Sequence, residues 1–190
     1  LNENEYFRQL FVDIIESAKR KNESYDNAQR LTLYEKYSRK DACKLLNWKN
    51  DESSTLYGYK TKHHTCPIFV TYHKHDDVEA SISYQEAFLN RNVLRWSTRS
   101  QRTLASKEVQ EIIHAVENNI SLHLFVKKDD DEGRDFYYLG EAACEKKSVE
   151  EGSMLDKNAK KLPVVHMNLL LENPVERHLY DYLVSGEGDE

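Results

Sequence analysis

Residues 106–143 read SKEVQEIIHAVENNISLHLFVKKDDDEGRDFYYLGEAA. Ser106 stands at an N-cap position, Glu108 lies in the first turn, and Val109, Ile112, Ile113 and Val116 share one helical face before Asn118-Asn119 stops the run. The period then changes. Ile120 to Lys127 reads as a strong strand, Asp129 to Asp135 with Gly133 as a hairpin loop, and Phe136 to Ala143 as the returning strand. A helix running straight into an antiparallel hairpin points to the α+β class.

Working outward, Leu162 to Leu171 is a final strand, followed by a helix around Val175, Leu179, Tyr182 and Leu183. Upstream, Tyr57-Gly58-Tyr59, the run Cys66 to Tyr72, Ala80 to Tyr84 and Val93 to Trp96 are strand-like, with Pro67 restricted to an edge or a strand start. The chain opens with Tyr6, Phe7, Leu10, Phe11, Ile14, Ile15 and Ala18 at helical spacing, ended by cations from Lys19 onward. A second helical region is expected from Asn27 through Tyr37, and Ser38 with Asp41 caps a short helix through Leu46. The expected fold is a curved antiparallel sheet or partial barrel with an N-terminal helical extension. Its parts are an extension over 1–50, a main domain over 51–184 and a disordered tail over 185–190.

At 190 residues the chain is long enough for a real core, and its hydrophobic content of 39% suits a globular protein. No apolar run is long enough to cross a bilayer as a helix, because the best one, Val164 to Leu171, contains His166 and Asn168. The start has no secretion signal and no Met, and reads as a piece of a longer protein. Three scattered cysteines, Cys43, Cys66 and Cys144, suit reduced thiols in the cytoplasm. No nucleophile elbow, phosphate-cradling glycine loop or helicase motif is present, so catalysis by this segment is not expected. His63-His64 and His73-x-His75 prompt a metal reading, but they lack the Cys pairs or helical His spacing of zinc sites, and no metal is expected.

The chain carries a formal net charge of −6, yet Arg91 to Lys107 holds Arg91, Arg95, Arg99, Arg102 and Lys107 without one acid. Binding to nucleic acid depends on where the cations sit rather than on their sum. Arg91, Arg95, Arg99 and Arg102, together with Lys60, Lys62 and Thr103, are the candidate phosphate contacts. Tyr57 and Tyr59 fall on one face of a strand with Gly58 between them, and Trp96 opens the polar run Ser97, Thr98, Arg99, Ser100, Gln101. Two aromatic walls beside a basic rim suit an extruded base, with Ser97, Thr98, Ser100 and Gln101 reading its edge. Trp96 serves equally well as a core residue. Ser38 to Leu46 also allows a helix-turn-helix carrying Arg39, Lys40 and Lys44 towards DNA.

The ordered set YSRKDACKLLNW (37–48), YGYK (57–60), CPIFVTYHK (66–74), YQEAFLNRNVLRWSTRS (84–100) and SLHLFVKK (121–128) resembles a known bacterial domain. It is the C-terminal target-recognition domain of SauUSI-like, ATP-dependent type IV restriction endonucleases, which follows a phospholipase-D-like nuclease and a superfamily II helicase. The resemblance covers residues 31 to 183. It implies an SRA-like (PUA/EVE-related) fold that flips and reads 5-methyl- or 5-hydroxymethylcytosine in double-stranded DNA. It implies no cofactor for this domain, ATP and Mg belonging to the parent protein, and partners in the helicase and nuclease domains, with a homodimer in the full-length protein. Relatives carry a Trp–Gln–Ser–Gln-like run where this chain has Trp96-Ser97-Thr98-Arg99-Ser100, which leaves open which side chain reads the base. Two other readings stand beside it. One is a dimerisation or helicase-docking module using the helices at Tyr6–Ala18 and Val175–Leu183. The other is a general single-strand binder built on Tyr57, Tyr59 and Trp96.

Overall fold

A computed structural model describes residues 4–50, 52, 56, 58–73, 86–155, 158 and 160–186. The elements in chain order are α1 (Glu5–Glu23), β1 (Lys36–Ser38), α2 (Arg39–Leu45), β2 (Thr65–His73), β3 (Ala87–Asn90), β4 (Val93–Ser97), α3 (Lys107–Ile113), β5 (Ser121–Asp129), β6 (Asp135–Leu155), β7 (Lys161–Leu171) and α4 (Arg177–Val184). The expectations for Tyr57, for a strand at Ala80 to Tyr84, for His75 and for the end of the tail fall outside the described residues.

Among the described residues the strands form one seven-stranded sheet in the order β2-β5-β6-β7-β4-β3, with β1 pairing β6. The α+β class stands. The sheet is mixed rather than purely antiparallel, because β2 runs parallel to β5 from Thr65↔Ser121 to His73↔Asp129. A parallel pair requires a long crossover, here supplied by β3, β4 and α3. The sheet is bent at two irregularities in β6. At the first, Gly140 sits at φ +105 where the β5 register slips, a conformation that only glycine adopts without strain, and a Cβ there would lie 3.1 Å from the Leu33 side chain. At the second, β6 advances from Glu145 to Glu150 while β7 moves only from Asn168 to His166.

Alternation along the strands feeds two cores on opposite faces. Cys66, Ile68 and Val70 of β2 and Leu122, Leu124 and Val126 of β5 join Val109 and Ile112 of α3 and Leu183 of α4. Phe69, Phe125, Phe136 and Tyr138 point the other way and meet Tyr37, Ala42, Cys43 and Trp48. Both faces of β2 and β5 are therefore covered, which is why these strands read as near-continuous apolar runs, interrupted in β5 by His123. Each fully buried apolar side chain contributes about 1.5–3 kcal/mol relative to exposure. The second core is not formed over β4 and β7, whose outward residues Arg95, Ser97, His166 and Asn168 are polar.

Several sequence expectations change. The segment from Asn27 is not a helix: Tyr34 takes φ +67, and residues 34–38 run alongside β6 through Tyr34 N to Tyr138 O (2.8 Å) and Tyr138 N to Glu35 O (3.0 Å). Ser38 does cap α2, its Oγ accepting from Asp41 N at 3.1 Å. Leu31, Tyr37, Ala42, Cys43, Leu46 and Trp48 pack in the second core with Phe69, Phe125 and Phe136. The inserted helix ends at Ile113, earlier than expected. Its cap at His114 turns the chain so that Ala115 is buried while Val116 is exposed. Residues 145–151, EKKSVEE, lie in β6. On α1, Tyr6, Phe7, Leu10 and Ile14 are exposed.

Candidate nucleic-acid interface

The loop from Thr98 to Ser106 leaves β4 and enters α3, and its backbone is held against β7. Thr98 N donates to Val165 O at 2.9 Å, Val165 N donates back to Thr98 Oγ1 at 3.0 Å, and Arg102 N donates to Pro163 O at 3.1 Å. Leu104 N reaches Glu151 Oε1 at 3.0 Å, and Thr103 N reaches Ser106 Oγ at 3.0 Å. That last bond uses the hydroxyl that the sequence assigns to capping α3, and Ser106 makes no side-chain cap to the helix itself. Gln101 lies between these anchor points with φ +62 and is exposed.

Beneath the loop, Glu108 gathers three donors. Arg99 Nη2 donates to Oε2 at 2.7 Å, the Tyr59 hydroxyl donates to Oε1 at 3.0 Å, and Arg102 Nε also donates to Oε1. Burial alone would raise the Glu108 carboxyl, but the hydrogen bonds from Arg102, Arg99 and Tyr59 outweigh it and hold it below the ordinary carboxylate range. Burial, followed by the Glu108 charge, pushes the Tyr59 phenol up. The Arg99 guanidinium lies 4.8 Å from the centre of the Tyr59 ring, a cation–π contact. Its Nε is buried without a hydrogen-bond partner among the described residues.

The structure brings Tyr59, Trp96, Arg99 and Arg102 together, but not as walls and rim. Tyr59 is 1% exposed and Trp96 3%. Their rings meet edge to face with centroids 5.0 Å apart, inside the main core. The strand period explains this: Leu94 and Trp96 point inward, Arg95 and Ser97 outward. Neither ring presents a free face, so the assignment of both as open stacking walls is corrected to core. Thr98 is buried on Val165, and Ser97 Oγ lies 2.8 Å from His166 Nδ1. Ser97 and Ser100 are half-buried and Gln101 is exposed, so these three edge-reading candidates keep access to solvent.

The other candidate cations are dispersed and paired. Arg91 Nε donates to Val175 O at 2.7 Å, tying the approach to α4. Arg95 pairs with Glu150. Lys60 and Lys62 both pair with Glu52, and Lys62 lies 5.7 Å from the Trp48 ring of the second core. Sequence reading missed Glu108 as anything beyond a first-turn acid, and missed His166. His166 sits on β7 with its Nε2 only 2.4 Å from where a Cβ on Gly152 would stand. Burial, reinforced by Arg95, lowers its pKa. Among the described residues no group of three His, Cys, Asp or Glu is arranged to hold a metal, and no helix is long and apolar enough to cross a membrane.

No curated protein matches this chain. Among solved structures it is similar to Arabidopsis thaliana SUVH6 in complex with SAM, at 12% identity and TM-score 0.48 over 77% of this chain and 27% of that one. It is similar to the sulfur binding domain and SRA domain of ScoMcrA complexed with phosphorothioated DNA, at 10% identity and TM-score 0.45 over 83% and 46%. It is also similar to the MspJI restriction endonuclease in complex with a 27-mer oligonucleotide, at 14% identity and TM-score 0.41 over 56% and 28%. The chain thus spans less than half the length of these three. Residues 31–183 match the family model described as a domain of unknown function, DUF3427, and the chain belongs to that family.

Proposed function

We propose that this chain recognises double-stranded DNA carrying a modified cytosine, by flipping the base, and that it serves as the SRA-like target-recognition domain of an ATP-dependent type IV restriction endonuclease. The observation that carries the reading is the loop 98–106. It is rich in guanidinium, hydroxyl and amide groups, and it is fastened to β7 and α3 before any partner arrives. Pre-organisation of this kind lowers the ordering cost of binding. In this reading Ser100 and Gln101 address the base edge, Arg99, Arg102 and Thr103 address phosphates, and Tyr57 supplies a stacking wall. Tyr59 and Trp96 support the loop from within. Extruding a base costs a few kcal/mol, which stacking and edge hydrogen bonds offset. The domain itself performs no chemistry, and nuclease and helicase activities belong to other parts of the parent protein.

A direct test places 2-aminopurine next to the target in matched duplexes. Its fluorescence should rise on binding to the methylated duplex and stay low with the plain one. Equal signals for both would remove base flipping as the reading mode.

One observation favours a second reading, an interaction module. Tyr6, Phe7, Leu10, Phe11, Ile14 and Ile15 of α1 are all exposed along a single helix. Sedimentation at rising concentration, with and without Phe7→Ser and Phe11→Ser, tests self-association through this face.

A further inference from the structure

We propose that the Glu108 carboxylate is an internal competitor for the DNA backbone, occupying Arg99 and Arg102 until phosphate replaces it and so suppressing binding to unmodified duplex. The inference rests on the reading above and assigns a specificity role to a residue on the far side of the loop.

Three features support it. The first is geometric: one carboxylate takes hydrogen bonds from both guanidiniums, an arrangement a phosphate oxygen pair reproduces. The second is that Glu108 cannot follow the arginines outward. It lies in the first turn of the seven-residue helix α3, which is anchored by buried Val109 and Ile112, and the Tyr59 hydroxyl holds its Oε1 from inside the core. The third is access. The side chains of Arg99, Arg102 and Glu108 retain 29%, 31% and 28% of their exposure, so an incoming anion reaches the guanidiniums without unfolding. Arg99 Nε is buried without a hydrogen-bond partner among the described residues, so turning the guanidinium outward costs it no bond there. The lowered pKa of Glu108 keeps the carboxylate charged, and hence competing, at neutral pH. The same self-neutralisation recurs at Arg95 with Glu150 and at Lys60 and Lys62 with Glu52. A run of cations that looks naked in the sequence is thereby masked, and contact with plain DNA gains little from it.

The test uses fluorescence anisotropy with plain and methylated duplexes between 50 and 200 mM salt, on wild type, Glu108→Gln and Arg102→Gln. Glutamine keeps an acceptor for Tyr59 while removing the competing charge, and thermal melting checks each fold. Glu108→Gln should bind plain duplex more tightly, with a log–log salt slope steeper by up to about two units, one per released guanidinium. Its advantage over wild type should therefore shrink about tenfold across that salt range. Discrimination between the duplexes should narrow. A purely structural role would instead weaken both duplexes and leave the slope unchanged. Unchanged or weaker plain-duplex binding by folded Glu108→Gln overturns the proposal. Should that variant not fold, Arg102→Gln decides: it should weaken the methylated complex more than the plain one, and equal weakening overturns the proposal. If wild type discriminates but these variants behave otherwise, only the competitor role fails. If wild type binds neither duplex, the functional reading fails with it.

Discussion

Replacing Tyr59 by phenylalanine removes a single hydroxyl at the junction between core and loop, and the contacts set the size of the effect. The ring remains, and with it the edge-to-face packing on Trp96 at 5.0 Å. What is lost is the hydrogen bond to Glu108 Oε1 at 3.0 Å, a bond to a charged acceptor in a half-buried site. Bonds of that kind are worth about 1.5–3 kcal/mol. For a domain of this length each kcal/mol moves the midpoint by about 2–4 °C, so Tyr59→Phe should lower Tm by about 3–12 °C. Tyr59→Ala also removes a ring that is 1% exposed, and a cavity of that origin costs about 3–5 kcal/mol. The two variants should therefore melt in the order wild type, Phe, Ala, followed by near-ultraviolet circular dichroism. Duplex affinity measured well below the lowest midpoint should change little for Tyr59→Ala beyond what loosening of the loop causes. A Tyr59→Ala protein that melts like wild type yet loses its preference for methylated DNA would refute the reasoning, because the ring would then be an open wall.

Other perturbations probe the same frame. Thr98→Val keeps the shape but removes the oxygen that accepts from Val165 N, leaving a buried donor unpaired at a cost of about 1–3 kcal/mol, read as a shift in urea midpoint. Gly152→Ala would drive a methyl group into His166 Nε2, which the Ser97 contact and burial prevent from yielding freely. Overpacking of this kind costs about 1–3 kcal/mol, and calorimetry should show it. Burial lowers the pKa of both His123 and His166 from 6.5. Below that value the unfolded chain takes up protons that the folded chain refuses, so stability should fall as pH drops from 7.5 to 5.5. The loss should flatten when both are changed to Gln; an unaltered pH profile in that double variant would place the dependence elsewhere.

Much of the fold is legible because local signals and tertiary packing agree. Val109 and Ile112 read as an inward helix face and are one, and the hairpin through Gly133 joins β5 and β6 as its turn residues require. The departures have physical causes. Leu31 to Tyr37 show helix-like spacing, yet β6 offers unpaired backbone groups at Tyr138, and pairing with them outweighs a weak local preference. Burial of β2 and β5 on both faces marks each as an apolar run, but that pattern does not specify which strand pairs with which, or in which direction. At the candidate site, residue types were legible and their partners were not. Arg99 and Arg102 look naked along the chain, since the acid that meets them enters from the first turn of the following helix. Trp96 was open to either role, and the inward pointing of β4 decides for core, whereas Tyr59, read as a wall, is buried edge to face against it.

The measurement that bears most directly on the account is a titration of this chain against two duplexes identical except for one 5-methylcytosine, at a fixed salt concentration near 150 mM. Specific protein–DNA complexes form roughly 10³–10⁷ times more tightly than nonspecific ones, and the methylated duplex should bind tighter by a margin that survives added salt. Equal affinity for the two, or binding to neither, would contradict the account.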